Sequence, residues 1–434
     1  MSNQIVTVAV TSQAASAPSN YQQKGCLVSQ GGTTLAQGAS VFLTQLSDLT
    51  SILAANATIA SLSYASGTVT VTCDSTLGVT TGQQFGVVIS GCTPLGYNGT
   101  FTATCTDTTT FTYPLASNPG VATVFGLASL LGEVELVAMA TTWFAQGNST
   151  GVYVLELGTT SSATAITNFS TYLTANPLNY YVYVTPSGWD TISAFTTLVN
   201  QYTSDTAQTY FFAPVSLDTY TIYKGIKSVF AWYLNSSVPN TEWDGAAMAW
   251  QVSSAKPSAA SQVPPFSFRY LFGVIPAVLT SAQQSQLKAA YVNWVDTAAE
   301  GGISNKMQVW GTAGDGNDFL YWYSVDWVQI NANTVISATV INGSNTTNNP
   351  LYYNQAGINR LQAAAQSVMN SAISFGLALS PISVNATGFT AYVTANPTDY
   401  AAGVYNGLSV SYTPTTGFTQ ITFNVTVSNF PIGV

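Results

Sequence analysis

The sequence predicts a multidomain chain that combines α/β and α+β structure. It has a three-layer α/β core, a small inserted all-β module of sandwich or barrel type, and strand-forming N- and C-terminal arms. Three observations predict this fold class. Strand and helix patterns alternate after residue 140, period-two alternation fills residues 57–126, and both chain ends alternate apolar with polar residues.

The composition sets the size class of the chain and describes its surface. With 434 residues, 47% of them apolar, the chain is long enough for about two to four domains and a large core. Only 6% of residues are charged, against about 25% in ordinary soluble domains. Thr, Ser, Asn and Gln fill the polar positions, and their side chains are easier to desolvate than ions. This composition fits a protein whose surface is buried in interfaces with other chains. It fits a stable β-rich secreted protein equally well.

Several kinds of function are excluded by the residue types present. The net charge of −9 comes from 17 acidic and 8 basic residues, so the sequence has no basic patch for binding nucleic acid. Histidine is absent, which rules out Ser-His-Asp triads, imidazole general bases and imidazole metal sites. The four cysteines have no C-x-x-C spacing, so we expect neither a zinc site nor a dense disulfide framework. We expect no cofactor and no metal.

The sequence predicts neither a signal peptide nor a membrane span. The first ten residues lack a cationic region followed by an apolar core. No segment approaches the ~18 uninterrupted apolar residues of a transmembrane helix. We therefore expect a protein that is made and kept in a cytosol, with no direct insertion into a membrane.

The predicted units follow shifts in composition along the chain. Their boundaries are residues 1–20 for an N-terminal arm, 21–56 plus 127–315 for the α/β domain, 57–126 for the inserted β-module, 316–417 for a C-terminal core, and 418–434 for a C-terminal arm strand. Val6, Val8 and Val10 alternate as in a strand, and a polar linker follows them. This pattern leaves open whether the segment is an arm that reaches another chain or an edge strand of its own domain.

The β-module is predicted from short alternating runs that turn signals separate. A short helix beginning at Leu43 precedes it, and the turn signals include Tyr97-Asn98-Gly99. Cys73 and Cys105 fall at inward positions of their strands. We expect buried thiols at both positions rather than a disulfide, given the expected cytosolic origin.

The α/β domain is predicted from strands and helices that alternate along the chain. The predicted strands are 151–157, 180–184 and 210–215, the predicted helices are 163–175, 192–202, 220–234 and 282–299, and 246–252 is a strand or a short helix. Further strands are predicted at 389–393 and 408–412, and at a terminal strand with Ile421, Phe423, Val425 and Val427 on one face. Strands of this kind at a chain end can add to sheets of neighbouring chains.

Three near pairs of acids are the candidates for chemistry. They are Glu133/Glu135, Glu242/Asp244 and Asp315/Asp318. Any pair could serve a glycosidase, which needs two carboxylates about 5–10 Å apart, but we expect solvent-facing acids or loop caps. Asp315 to Asp318 lacks the downstream Glu of a calcium loop and is interpreted as a turn. The many aromatic residues fit core or interface anchors, and they would also fit a sugar-binding face.

One ordered set of motifs carries a family resemblance. An aromatic run from Asp318 ends at Asp326-Trp327, and after a polar segment Pro350-Leu-Tyr352-Tyr and Gly357-Ile open a helix over residues 358–377. Earlier, Ala-Thr-Thr-Trp-Phe-Ala-Gln-Gly precedes the strand Val-Tyr-Val-Leu-Glu-Leu. This order resembles the contractile-tail sheath proteins of bacteriophages, especially a poorly characterised phage branch of them. Asp326 is expected to accept buried hydrogen bonds, and Trp327 to fill the core.

The resemblance implies a structural protein with no active site, located in the virion tail and assembled in the host cytoplasm. It implies hexameric rings of this chain, stacked helically around a tail tube protein, with a baseplate and a tail terminator as further partners. The arms would join neighbouring subunits, and contraction would drive the tube through the host envelope. Sheath proteins usually carry more charge than this chain, and this departure bears on the electrostatic part of the family mechanism.

The sequence therefore supports two functions. The first is a self-assembling tail sheath subunit. The alternative is a carbohydrate-binding or carbohydrate-cleaving tail or cell-surface protein, favoured by the aromatics, the acids and the β-module. A tail-tube or baseplate subunit is disfavoured by the chain length and the α/β core.

Overall fold

The computed structural model describes residues 20–235, 241–298 and 304–418. The predicted N-terminal strand with Val6, Val8 and Val10 lies outside these residues. So does the predicted terminal strand with Ile421, Phe423, Val425 and Val427. Both arms therefore stay predictions, as do the domain boundaries.

Strands and helices of the first half define a sheet, a barrel and two flanking layers. In chain order they are β1 (Gly25–Ser29), β2 (Ser40–Leu43), β3 (Ala57–Ala65), β4 (Thr68–Cys73), β5 (Gln84–Ser90), β6 (Gly99–Asp107), β7 (Thr110–Pro114), β8 (Leu127–Leu130), α1 (Leu131–Ala145), β9 (Val152–Glu156), α2 (Ser162–Ala175), β10 (Val182–Val184), α3 (Ser193–Asn200), β11 (Tyr210–Val215) and β12 (Val229–Tyr233). The helix predicted from Leu43 is a short 3-10 helix at Leu46–Ser51.

The second half adds helices, a small hairpin and a ribbon. Its elements are α4 (Asp244–Ser253), α5 (Ser281–Ala289), β13 (Trp294–Thr297), β14 (Lys306–Val309), α6 (Phe319–Ser344), α7 (Gln355–Ser374), β15 (Ala378–Ala386), α8 (Phe389–Ala395), α9 (Pro397–Ala402) and β16 (Leu408–Pro414). Of the two structures left open for residues 246–252, the helix is the one formed.

The central sheet has six strands in the order β12-β11-β10-β1-β9-β2. The first five are parallel, and β2 pairs antiparallel with β9 at one edge. Strands β1, β11 and β12 are buried along their whole length. Parallel strands covered on both faces are built from continuous apolar runs, as these are.

Helices cover both faces of this sheet and complete three layers. Helices α1, α4 and α6 pack on the face that carries Leu27, Val154 and Phe212. Helices α2, α3 and α5 pack on the face that carries Val28 and Phe211. Alternate residues of one strand thus enter different cores, as the pleat of a strand requires. The sheet and the helices on its two faces are called the α/β body below.

Strands β3 to β8 close into a six-stranded antiparallel barrel, in the order β3-β4-β7-β6-β5-β8. Alternating residues such as Val69, Val71 and Val87 fill its interior. Closure leaves no exposed sheet edge. All four cysteines are free thiols in buried positions, including Cys73 and Cys105 in the barrel core. The predicted fold class, with its three-layer core and inserted all-β module, is confirmed.

Three predicted elements are wrong. Residues 220–234 are a turn followed by β12, because Gly225 adopts a left-handed conformation (φ +87°) and donates its N–H to Gly314 O at 2.6 Å. The helix predicted over 282–299 ends at Ala289, since Tyr291 also has positive φ and β13 follows. Residues 389–393 form α8 rather than a strand, and Phe389 and Tyr392, spaced three apart, pack against Tyr400 and Tyr405 respectively.

Candidate functional site

Asp326 lies on the face of α6 that is directed at the central sheet, and it is fully buried. Its Oδ2 atom accepts hydrogen bonds from the hydroxyl of Tyr181 at 2.8 Å and of Tyr210 at 2.9 Å. Tyr181 directly precedes β10, and Tyr210 opens β11. Its Oδ1 atom accepts no hydrogen bond in the described part of the chain. A long helix is thus attached to two strands through one carboxyl oxygen.

Burial makes the Asp326 carboxyl easier to protonate than an exposed one. Burial raises the pKa of Asp326 to about 6, against the opposing effects of the Lys227 charge and the two tyrosine hydroxyls. Lys227 Nζ donates to the backbone oxygens of Ser204 and Ala207, and it lies 4.1 Å from the centre of the Trp322 ring. Burial in turn lowers the pKa of Lys227. The carboxyl is therefore bonded directly by two hydroxyl groups and influenced by the Lys227 charge.

The other residues of the predicted core motif lie elsewhere. Trp327 is partly buried and packs edge-on against Phe375 after α7, with ring centres 5.4 Å apart. Pro350 and Tyr352 lie in the connection from α6 to α7, where the Tyr352 side chain is 65% exposed. Gly357 lies in the first turn of α7, where a Cβ atom would lie 2.0 Å from Tyr352 O.

The predicted motif residues lie in two separate regions of the fold and do not come together in one site. Gly343, near the end of α6, accepts a hydrogen bond from Leu351 N at 2.9 Å, beside Tyr352. Asp326 lies seventeen residues before Gly343, which is about 25 Å along a helix. One place therefore attaches α6 to the sheet, and the other shapes the turn between α6 and α7.

The C-terminal ribbon is the antiparallel pair β15–β16. Ile382, Val384, Val410 and Tyr412 on one face are partly buried against the main core, while Ser383 and Ser411 face outward. Among the residues that the structure describes, neither strand has a second partner. Both outer edges of the ribbon thus present backbone donors and acceptors without a neighbouring strand.

The expectation that the paired acids are solvent-facing is wrong for two of the three pairs. Glu133, Glu135, Glu242 and Asp244 are all buried. Burial raises the pKa of Glu135 and of Glu242 to about 7, and that of Asp244 well above its usual range. The backbone N–H of Ile275 and the charge of Lys306 oppose this rise in pKa at Glu242.

The third pair behaves as a turn and a cap. Asp318 is the N-cap of α6, and its Oδ1 atom accepts from Leu320 N at 2.7 Å. Asp315 Oδ2 accepts from the Trp322 indole at 2.8 Å, and Asp315 Oδ1 from Asn317 N at 3.0 Å. Within the described ranges, no group of three or more Cys, Asp or Glu side chains could hold a metal ion. None of the described helices combines the length and hydropathy that a membrane crossing needs.

Glu156, at the end of β9, organises the loop that follows β1. Its carboxyl oxygens accept five hydrogen bonds of 2.7–3.0 Å, from Ser29 Oγ, Gly31 N, Thr33 N, Thr33 Oγ1 and Gly158 N. The carboxyl ends of parallel neighbours β1 and β9 meet there. Sequence reasoning missed this site. The signal that could have found it is Gly31-Gly32, one residue after the end of the buried strand β1.

A cavity of about 240 Å³ lies between the barrel and the α/β body. Strands β5 and β6 form one wall, and Gln30, Ser187 and residues 159–162 form the other. Among the described residues that line the cavity, Glu135 is the single carboxyl. A glycosidase would need a second carboxyl across this space. The described lining residues do not supply such a pair.

Comparison with solved structures identifies the fold. The chain is similar to the helical sheath of the anti-feeding prophage in its contracted state, with a TM-score of 0.54 and 10% identity over 97% of this chain and 99% of that one. It is similar to a chain of the anti-feeding prophage baseplate in its contracted state, with a TM-score of 0.53 and 12% identity over 99% of both chains. The chain has the fold of a contractile-tail sheath protein.

A third similar structure is the sheath tail protein Lin1278 from Listeria innocua, with a TM-score of 0.43 and 10% identity over 83% of this chain and 88% of that one. No protein-family model matches the sequence, and no curated protein matches it. The sheath fold is thus recognised through the arrangement of its elements at very low identity. The resemblance inferred from the order of the sequence motifs agrees with it.

Proposed function

We propose that the protein is the structural subunit of a contractile tail sheath, which assembles with copies of itself into hexameric rings stacked around a tail tube. The observation that carries this proposal is the similarity to the anti-feeding prophage helical sheath over 97% of this chain and 99% of that one. A match that covers both chains almost completely supports a shared architecture. A shared architecture in turn supports a shared mode of assembly.

The ribbon supplies the means of joining subunits. Both outer edges of β15–β16 are without a strand partner in the described residues, and both chain ends have the alternating pattern of strands. Arms of neighbouring copies would add to these edges through backbone hydrogen bonds, while alternate side chains set the register. Val6, Val8, Val10, Ile421, Phe423, Val425 and Val427 would be the apolar contacts of these arm strands.

The surface suits coverage by other subunits. Large apolar side chains are exposed on the barrel and in the segment between α4 and α5, namely Leu95, Val121, Val124, Phe125, Phe268, Phe272, Ile275 and Val278. The sequence has few charges that would have to be desolvated when such patches are covered. Contraction then requires two packings of these contacts, with the arms paired in both.

The remaining parts of the proposal concern partners and place. The tail tube protein, the baseplate and the tail terminator are the proposed partners, in a virion tail that assembles in the host cytoplasm. We propose no catalytic step. The barrel would lie on the outer surface of the assembly, where an insertion disturbs the contacts between subunits least.

Electron microscopy of the purified full-length protein tests the assembly. Rings or hollow tubes with sixfold symmetry are expected. Uniform monodisperse particles at micromolar concentration would contradict the proposal and favour the carbohydrate-binding alternative.

Arm variants test the joining mechanism. Deleting residues 1–15 or 419–434 should abolish polymerisation and leave a folded subunit by circular dichroism. A matched pair sharpens the test: replacing Ile421, Phe423 and Val425 with Thr should block assembly, while replacing Thr422, Asn424 and Thr426 with Ser should not. Equal assembly by both triple variants would argue against a strand with one apolar face.

A further inference from the structure

The first turn of α1 connects the barrel to the α/β body. Leu130, the last residue of β8, is followed directly by Leu131, the first residue of α1. A Cβ atom on Gly86 of β5 would lie 2.8 Å from Leu131 Cβ, so the barrel packs closely on this turn. A Cβ atom on Gly132 would lie 2.1 Å from Gln30 O, so the body packs closely on its other side. The orientation of the barrel is therefore set here.

The cavity between barrel and body lies against the same helix face. Glu135 follows Leu131 by four residues, so both side chains lie on one side of α1. The Glu135 side chain is 4% exposed and lines the cavity. Its carboxyl accepts hydrogen bonds from the Ser187 hydroxyl and, at 3.4 Å, from Ser187 N. Both of these partners belong to the body.

The described groups around Glu135 offer its negative charge no cation. The described residues that line the cavity include no Lys or Arg. The acids on the elements packed nearby are Glu133 on α1, Glu156 at the end of β9 and Asp190 in the loop after β10. On the barrel side, the stretches of β5 and β6 that line the cavity carry no charged residue. Burial raises the pKa of Glu135 from its ordinary value of 4.5 to about 7.

We propose that protonation of Glu135 controls how tightly the barrel packs on the α/β body. The neutral carboxyl remains in the closed junction and shares a hydrogen bond with Ser187. The ionised carboxyl needs water, and the adjacent polar cavity has room to admit it. Hydration at this point weakens the packing of β5 on the first turn of α1.

The direction of the effect follows from the raised pKa. The closed junction binds the proton more tightly than an open, hydrated junction, whose Glu135 titrates near 4.5. The closed state is therefore most favoured at acidic pH, and this preference is lost as the pH rises through about 7. The barrel should be held tightly at pH 6.0 and more loosely at pH 8.5.

Amide hydrogen exchange of the full-length protein tests this proposal. After correction for the intrinsic pH dependence of exchange, peptides covering residues 84–90 and 131–136 should lose at least ~5-fold in protection between pH 6.0 and 8.5. Glu135→Gln should keep high protection at both pH values. Equal corrected protection of the wild-type protein at both pH values would overturn the proposal, and so would an unchanged pH dependence in Glu135→Gln.

Two further variants keep the test decisive if Glu135→Gln fails to fold. Ser187→Ala removes the donor that lowers the pKa of Glu135, so the midpoint of the change should move to higher pH. Glu133→Gln is the control on the same helix: Glu133 lies outside the cavity lining, so its substitution should leave the pH dependence of exchange in residues 84–90 as in the wild-type protein. An unmoved midpoint in Ser187→Ala would count against the proposal. The readout lies within one subunit, so its failure leaves the proposed assembly untouched.

Discussion

The Oδ2 atom of Asp326 lies 2.9 Å from the hydroxyl oxygen of Tyr210, and this buried hydrogen bond ties α6 to the central sheet. The same oxygen accepts a second bond from Tyr181 at 2.8 Å. The two hydroxyls bond this carboxyl directly, and the charge of nearby Lys227 also acts on it. The α6 helix also bears Trp327, which contacts Phe375 after α7, so this attachment supports the C-terminal part of the fold.

Tyr210→Phe is expected to lower the free energy of unfolding by about 1.5–3 kcal/mol, because a hydrogen bond to a buried carboxyl is lost. Urea unfolding followed by tryptophan fluorescence measures the change. Tyr352→Phe is the matched control, since that side chain is mostly exposed and its substitution should be nearly neutral. Equal stabilities of the two variants would mean that the Asp326 contact contributes little.

The stability of the subunit is expected to fall as the pH rises. Burial raises the pKa of Asp326 from 3.8 to about 6, so the folded state binds this proton more tightly than the unfolded state. The resulting stabilisation, about 3 kcal/mol for such a shift, is present at acidic pH and lost as the pH rises through about 6. Buried Glu135 and Glu242 act in the same direction.

Thermal unfolding at pH 4.5 and pH 8, at constant ionic strength, checks this pH dependence. The wild-type protein should have the lower Tm at pH 8. Asp326→Asn, which cannot ionise, should show a smaller difference between the two conditions. A higher Tm at pH 8 would show that exposed acids such as Asp48, whose pKa is lowered by hydrogen bonds from Thr44, dominate the titration.

Glu156→Gln is expected to destabilise the protein by about 3 kcal/mol or more. The NH2 group of the new amide would face N–H and O–H donors from which the carboxylate accepts hydrogen bonds. The effect should be concentrated in residues 29–34, where amide exchange should accelerate together with the drop in Tm. Asp107→Asn on the exposed end of β6 is the control and should change stability by less than about 0.5 kcal/mol. Unaltered amide exchange in residues 29–34 would show that Glu156 does not fix the conformation of this loop.

Gly357→Ala is expected to cost about 2–4 kcal/mol, because its Cβ atom would lie 2.0 Å from Tyr352 O. Alanine otherwise favours a helix by about 1 kcal/mol over glycine, so any loss reports the clash. Gly388→Ala is the matched control, since its Cβ atom would meet only the end of the Gln355 side chain at 3.3 Å. Equal melting temperatures would mean that the turn before α7 can move aside at little cost.

Periodicity along the chain determined much of the architecture. The alternation of Val69, Val71 and Cys73 predicts an inward-facing barrel strand, and the apolar run of β11 predicts a strand buried on both faces. These patterns are local, since a strand or helix must present its apolar side chains at its own repeat. The order of the motifs was enough to indicate the sheath fold at sequence level.

Local patterns failed where contacts remote in sequence decided the outcome. Residues 229–233 have the same apolar content as a buried helix, and only pairing with β11 makes them a strand. No spacing rule indicates that Glu156 would accept donors from residues 29–33. Likewise, the burial of Glu135 and Glu242 depends on neighbours that other elements supply.

The sequence by itself therefore determined the fold class, the barrel, the buried thiols and the absence of histidine chemistry, because these depend on composition and short-range repeats. The tertiary structure alone decided that Asp326 and Gly357 occupy two separate places, that five of the six paired acids are buried, and that Glu135 lies where the barrel meets the body. The physical reason is that burial and hydrogen-bond partners are properties of the folded arrangement, and chain spacing does not encode them.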